Sequence, residues 1–329
     1  MADKATLSLI DFCTIYDEER PGDSIARSVQ LAQRAEELGY SRIWYAEHHN
    51  MKHISSSSPA VLIAHIGAHT KKIRLGSGGV MLPNHAPYVV AEQFGMLAEM
   101  YPDRIDLGLG RAPGTDMNTL GRALRRSPQS AERFPQDVKE LQGYLAGQSP
   151  VPGVQAMPGA GTNVPLYILG SSMFGATLAA EYGLPYAFAS HFAPKFLEEA
   201  TSYYRENFQP SEVLDEPYTI AAVNVLPAPS EEEAERIWER VCFERVKSFA
   251  GRGRFLTDEQ VERIIGTHQG QQILNMLEYS AVGTRDTVRD YLTEFQQTAG
   301  ADELMISPLA TSHEESMQDI EILADAWGL

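Results

Sequence analysis

Short apolar runs alternate along the chain with longer stretches whose apolar residues fall three or four positions apart. Residues 7–12 predict a first strand. Over residues 23–38 a helix follows, with Ile25, Val29, Ala32, Ala35 and Leu38 on one face and Gly39 placed as its left-handed stop. The order continues with strand 42–46, a helix from 58 to about 70 that carries Pro59 in its first turn, strand 74–79, helix 87–100 and strand 105–109. Short connections between strands and helices call for a parallel sheet with helices outside it.

The middle of the chain breaks the rhythm. Residues 112–129 lack periodicity and are rich in Gly, Arg and Pro, which predicts a long functional loop over a site. A helix over 130–145 and a Pro/Gly-rich excursion over 148–164 lead back into strand 166–169, helix 173–182, strand 186–189, helix 194–208 and strand 218–226. Residues 230–249 and 257–277 read as a charged helical insertion, and helix 284–298, strand 303–306 and helix 313–327 close the chain. Strands in this number, each followed by a helix, predict an α/β fold of the (β/α)8 TIM-barrel class. The expectation is one domain over 1–329, with insertions at about 111–130, 148–164 and 230–280.

Composition narrows the function. The 329 residues are 43% hydrophobic and carry a formal charge of −17, enough apolar material for a large core and too acidic for nucleic acid or an anionic membrane surface. Only two cysteines occur, Cys13 and Cys242, which suits a reducing cytoplasm. Residues 1–4 are polar and no apolar stretch approaches the length of a membrane span, so a soluble cytoplasmic protein is expected.

Chemistry concentrates where the apolar strands stop, as it does when a site is built at the C-terminal ends of parallel strands. Glu47-His48-His49 follows strand 42–46. Neighbouring side chains on an extended segment point to opposite faces, so only one of the two histidines can face the barrel axis. That one is the candidate base, with Glu47 able to orient a ring or fix its tautomer; a hydrogen-bonded pair of structural histidines is the competing reading. His53 could add a third ligand, but neither HExxH nor CxxC spacing occurs, and no metal is assigned. Gly78-Gly79 either leaves backbone bare for a flat ligand or marks a β-bulge. Gly108-Leu109-Gly110-Arg111 misses the dinucleotide fingerprint because Pro113 holds the third glycine position. Arg111, with Arg122, Arg125 and Arg126, offers forked donors suited to phosphate or forms a solvated loop. Gly170-Ser171-Ser172 precedes a helix and is either an anion site or a plain N-cap.

Taken together, these segments resemble the luciferase-like flavin monooxygenases, the group that includes bacterial luciferase and alkane sulfonate monooxygenase. The resemblance rests on RIWYAEHHN at 42–50, IRLGSGGVMLPNHAPYVVAEQFGML at 73–97, RIDLGLGRAPGTD at 104–116, LGSS at 169–172, VGTRDTVRDYL at 282–292 and GADELMI at 300–306, in order and nearly end to end. It implies a barrel that binds reduced FMN supplied by a separate flavin reductase, lets O2 add at the flavin C4a, and uses the peroxyflavin to oxygenate a small organic substrate. By the same resemblance His48 is the catalytic histidine, with Glu47 and His49 completing its motif. Gly78 and Gly79 stand where bacterial luciferase has a non-proline cis peptide under the flavin ring. Arg111 and the Gly170-Ser171-Ser172 segment match contacts to the FMN phosphate. Gly110 replaces the reactive cysteine of bacterial luciferase, which speaks against luminescence and opens room beside the flavin. Related barrels place F420 at the same seat, so an F420-dependent oxidoreductase is an alternative, and a non-catalytic flavin-binding protein is a third. By analogy a homodimer is expected.

Overall fold

The computed structural model describes residues 4–16, 19–251 and 256–329. Part of the polar start (1–3) and part of the 230–280 insertion (252–255) therefore lie outside the described residues.

Among the described residues nine parallel strands form one sheet: β1 (Thr6–Asp11), β2 (Arg42–Tyr45), β3 (Arg74–Met81), β4 (Ile105–Gly110), β5 (Leu166–Gly170), β6 (Tyr186–Phe188), β7 (Thr219–Pro227), β8 (Ser280–Gly283) and β9 (Glu303–Pro308). The first seven pair in chain order, and β9 sits between β7 and β1 through Ala222↔Met305 and Leu9↔Ile306. Closure through β9 makes a TIM barrel of eight strands, the same eight that the hydrophobic pattern predicts. The ninth strand, β8, is unforeseen. It pairs with β7 from Asn224↔Ser280 to Pro227↔Gly283, beyond the last pairing of β6 at Phe188↔Ala221. Its sequence, Ser-Ala-Val-Gly, holds too few apolar residues to show a period.

The helices outside the barrel are α1 (Pro21–Leu38), α2 (Pro59–Gly67), α3 (Pro87–Met100), α4 (Phe134–Leu145), α5 (Met173–Tyr182), α6 (Leu197–Asn207), α7 (Glu231–Gly251), α8 (Asp258–Ile265), α9 (His268–Leu274), α10 (Arg285–Ala299) and α11 (His313–Trp327). Gly39 closes α1 at φ 93°, as its position predicts. Residues 112–129 are less open than the loop expected there, since Thr119–Ala123 makes a π turn and Pro128–Arg133 a 3-10 helix leading into α4. Two departures at strand ends matter for the site: β3 runs two residues past Gly79 to Met81, and the 230–280 insertion is built around the 21-residue α7.

The pleat sorts side chains into an inner and an outer set. Outward residues such as Ile43, Leu75, Leu107 and Leu304 join the helices in the main apolar core. Inward residues stack in layers along the barrel axis. At the N-terminal end Arg42 ion-pairs with Asp106 (2.8 Å) and Glu303 (2.9 Å), while Tyr167 accepts from Arg42 (2.7 Å) and Tyr218 donates to Glu303 (2.7 Å). Above this polar floor lie Ile10, Trp44, Ile220, Ala222 and Met305. Small residues on β3 make room for the indole: a Cβ at Gly76 would stand 2.6 Å from the Trp44 ring, and one at Gly78 3.1 Å from its Cβ. The floor is therefore sealed, and only the C-terminal end of the barrel stays available for chemistry.

Candidate active site

Arg42, Trp44, Ala46 and His48 occupy alternate positions, so the inward register of β2 carries His48 to the top layer of the barrel. His49 and Glu47 fall on the other face, and the alternation separates the two histidines as the sequence requires. His48 packs against Phe12 (ring centroids 5.8 Å), which also meets His191 (6.1 Å). His191 follows β6, is 7% exposed, and accepts through its backbone carbonyl a hydrogen bond from Asn224 Nδ2 (2.7 Å). Both imidazoles hold a buried Nδ1 without a partner, as does the buried Oδ1 of Asn224. Burial lowers both histidines, outweighing the nearby carboxylate of Glu47 at His48 and pulling His191 down to about 3 with help from the positive charge of Arg245. At neutral pH both rings are uncharged.

Glu47 has a different job. Its Oε1 meets His49 Nε2 and His85 Nε2, each at 2.8 Å, and its Oε2 accepts from the Met81 N–H at 3.0 Å. Burial alone would raise this carboxyl, but the hydrogen bonds from His49, His85 and Met81 overcome it and hold the group at about 2. An ionised, saturated carboxylate is a clamp between the end of β3 and the β2 loop. The rings it orients are those of His49 and His85.

The same segment anchors the loop after β4. His49 N–H donates to Gly114 O (3.0 Å), Thr115 Oγ1 donates to His49 O (3.1 Å), and Asn50 Nδ2 donates to Asp116 (3.0 Å). Asn84 Nδ2 donates to Pro113 O (2.9 Å), and Arg126 Nε donates to Asn84 O (3.0 Å). Arg126 thus ties this loop to the turn after β3.

The glycines lie along the inner wall. Gly78-Gly79 is a non-proline cis peptide, and the β3–β4 register slips between Ser77 and Val80, so the bulge and the cis bond coincide. Gly110 ends β4, where a Cβ would press on Met81 Sδ at 2.9 Å. One residue on, exposed Arg111 lies over the Phe174 ring, 3.9 Å from its centroid, in the first turn of α5. Gly170 ends β5, and Ser172 is the N-cap of α5 but makes no side-chain cap hydrogen bond. The first-turn N–H groups and the hydroxyls of Ser171 and Ser172 thus remain open beside a guanidinium, which fits a phosphate. Exposed Phe174, Phe192 and Phe249 add apolar surface on the segments following β5 and β6 and on α7.

Four residues of this arrangement carry no signal in the sequence taken alone: Phe12, His85, His191 and Arg245. His85 lies within the quoted 73–97 segment, but its partner Glu47 is 38 positions away. His191 is a lone histidine after a short strand.

The luciferase-like monooxygenase family model matches residues 8–303. This chain belongs to that family. A luciferase-like monooxygenase of Escherichia coli (strain K12) is 40% identical, over 99% of this chain and 98% of its own length. The N-acetyl-S-alkylcysteine monooxygenase of Bacillus subtilis (strain 168) is 32% identical, covering 97% of each chain. Among solved structures, apo-MsnO8 superposes with TM-score 0.88 at 33% identity, over 99% of both chains. Two others share the fold at lower identity: the oxygenating constituent of 3,6-diketocamphane monooxygenase in complex with FMN (TM-score 0.72, 15%, covering 98% of this chain and 97% of that one) and an F420-dependent secondary alcohol dehydrogenase (TM-score 0.70, 18%, 98% and 99%). The family makes this chain an enzyme of the luciferase-like monooxygenase type. Among the described residues no helix is long and apolar enough to cross a membrane.

Proposed function

We propose that this chain is the oxygenating component of a two-component system, using reduced FMN from a separate reductase and O2 to oxygenate a small organic substrate. The observation that carries the reading is the convergence of His48 and His191 on the Phe12 ring, both with a buried Nδ1 that has no partner among the described residues, at the end of the barrel where an open helix N-terminus and Arg111 stand ready for a phosphate. Reduced flavin, when bound, supplies the electrons with which one atom of O2 enters the substrate and the other leaves as water. The residues do the rest. Arg111, Ser171, Ser172 and the first turn of α5 would hold the phosphate, with Gly170 giving that turn room to approach. Gly78, Gly79 and Gly110 contribute no side chain of their own to the inner wall, which would let a flat ring approach the backbone there. His48 takes up or returns a proton at Nδ1, while Glu47 and His49 act by fixing the loop that carries it.

The phosphate seat would also receive F420, and the two cofactors part on whether O2 is consumed. The monooxygenase names of the full-length relatives support FMN, whereas the F420 enzyme shares only the fold. A transient reductase and a second copy of this chain complete the partners. Exposed Val61 on α2 with Met96 and Met100 on α3 supports the latter, and a monomeric sedimentation coefficient at working concentration would remove it.

The test is titration of the full chain with FMN, riboflavin and F420, followed by oxygen uptake with a flavin reductase and a panel of small thioethers, ketones and aldehydes. Tight FMN binding with substrate-dependent O2 uptake is expected. Selective binding of F420, with no O2 uptake, would replace the reading.

A further inference from the structure

The inward face of α7 ends in an arginine. Ala234, Ile237 and Val241 are buried there and pack with Leu226 and Leu309, which stand at the C-terminal end of β7 and just beyond β9; Val246 and Gly251, also buried on α7, do not join that cluster. The next position in that register, four residues after Val241, is Arg245. A side chain facing a barrel in this register is ordinarily apolar.

Arg245 is also unmatched. Among the described residues, Arg104 and Arg245 are the arginines whose pKa is lowered overall, burial being the main cause in each. Arg104 gives its donors to Ile73 O, Thr70 O and Thr70 Oγ1. Arg245 pairs with no carboxylate among the described residues; beside it lie the Phe249 ring, 5.7 Å away, and Cys242. A chain with 44 acidic and 27 basic residues has left this guanidinium unpaired where pairing would be easy. Arg245 is half-buried, and a guanidinium partly withdrawn from water with no carboxylate beside it is a natural seat for an anion. Its field reaches His191, the 7%-exposed side chain at the barrel mouth whose Nδ1 has no hydrogen bond.

We propose that Arg245 receives an oxyanionic group of the organic substrate, a carboxylate or sulfonate, and so selects negatively charged substrates for the site that holds His48 and His191. The proposal rests on the oxygenation reading. The planar fork suits either group, because two parallel N–H donors match two oxygens of a carboxylate or sulfonate. The anion anchors one end of the substrate near α7, which leaves its uncharged end to reach the reacting centre. Arg245 is then a specificity-determining residue, separate from the phosphate seat at Arg111 and α5.

The experiment is calorimetric titration of the full chain, with and without FMN, using hexanoate, hexanesulfonate, hexanamide and hexanol. The charged probes should bind about tenfold or more tightly than the neutral ones, in line with a charge-assisted hydrogen-bonded pair. Arg245→Gln should erase that preference with FMN affinity unchanged, and Arg245→Lys should restore part of it. Equal binding of charged and neutral probes, no binding of the charged ones to folded protein, or a preference that survives Arg245→Gln would overturn the proposal. Loss of FMN binding in the wild type with the anion preference intact would instead sink the oxygenation reading.

Discussion

Glu47 and His48 are neighbours with opposite fates. Glu47, on the outer face of the pleat, has both carboxylate oxygens engaged, by His49, His85 and the Met81 N–H, and is 1% exposed. His48, on the inner face, leaves a buried ring nitrogen unpartnered and meets only Phe12 among the aromatic rings. A saturated polar group stabilises a fold, while an unsaturated one is retained at a cost and marks chemistry. A step of one residue along a strand separates the two roles, so a three-residue motif read as a unit conflates a brace with a site.

The largest expected effect breaks the inner half. His48→Ala should lower oxygenation by about a thousandfold, the range of a lost general base, while changing unfolding free energy by less than about 1 kcal/mol. Turnover and urea unfolding on one preparation check both, and unchanged turnover would take His48 out of the mechanism. The outer half should fail differently. Glu47→Ala leaves two imidazoles and an N–H without their acceptor and should cost about 3 kcal/mol of stability; a urea midpoint equal to wild type would contradict the clamp.

A third comparison uses pH. The His191 pKa lies near 3 when folded, below the value of about 6.5 expected in the unfolded chain, so unfolding takes up a proton between those limits. Its contribution is fully present above pH 6.5 and declines as pH falls toward 3; at pH 5 the loss should be about 2 kcal/mol. Burial shifts His48 in the same direction. His191→Gln should flatten the urea midpoint between pH 7 and pH 5, and an unchanged slope would mean His191 is not held neutral. The smallest effect lies at the rim. Arg111→Ala should weaken FMN about tenfold and leave riboflavin untouched; equal weakening of both would remove Arg111 from the phosphate.

Much of the barrel was legible because each of its eight strands is a compact apolar run closed by a helix signal. β8 was not, since Ser280-Ala281-Val282-Gly283 is too short to show a period and is held by pairing along the far half of β7. At the site, the pleat rule separated His48 from His49 without coordinates. It could not supply His85 or His191, whose partners come from other strands, because nothing local distinguishes them from ordinary surface histidines. Arg245 was hidden in a charged helical insertion, and it stands out only when its register is seen to follow that of Ala234, Ile237 and Val241.

The most direct test of the division between brace and site is to bind reduced FMN anaerobically to the wild type and to His48→Ala, then mix each with oxygenated buffer and follow the return of oxidised flavin. Both proteins should bind the flavin, oxidised flavin should return later from the wild type than from free solution, and His48→Ala should lose that delay. Binding of F420 in place of FMN, or an identical time course for the two proteins, would contradict this.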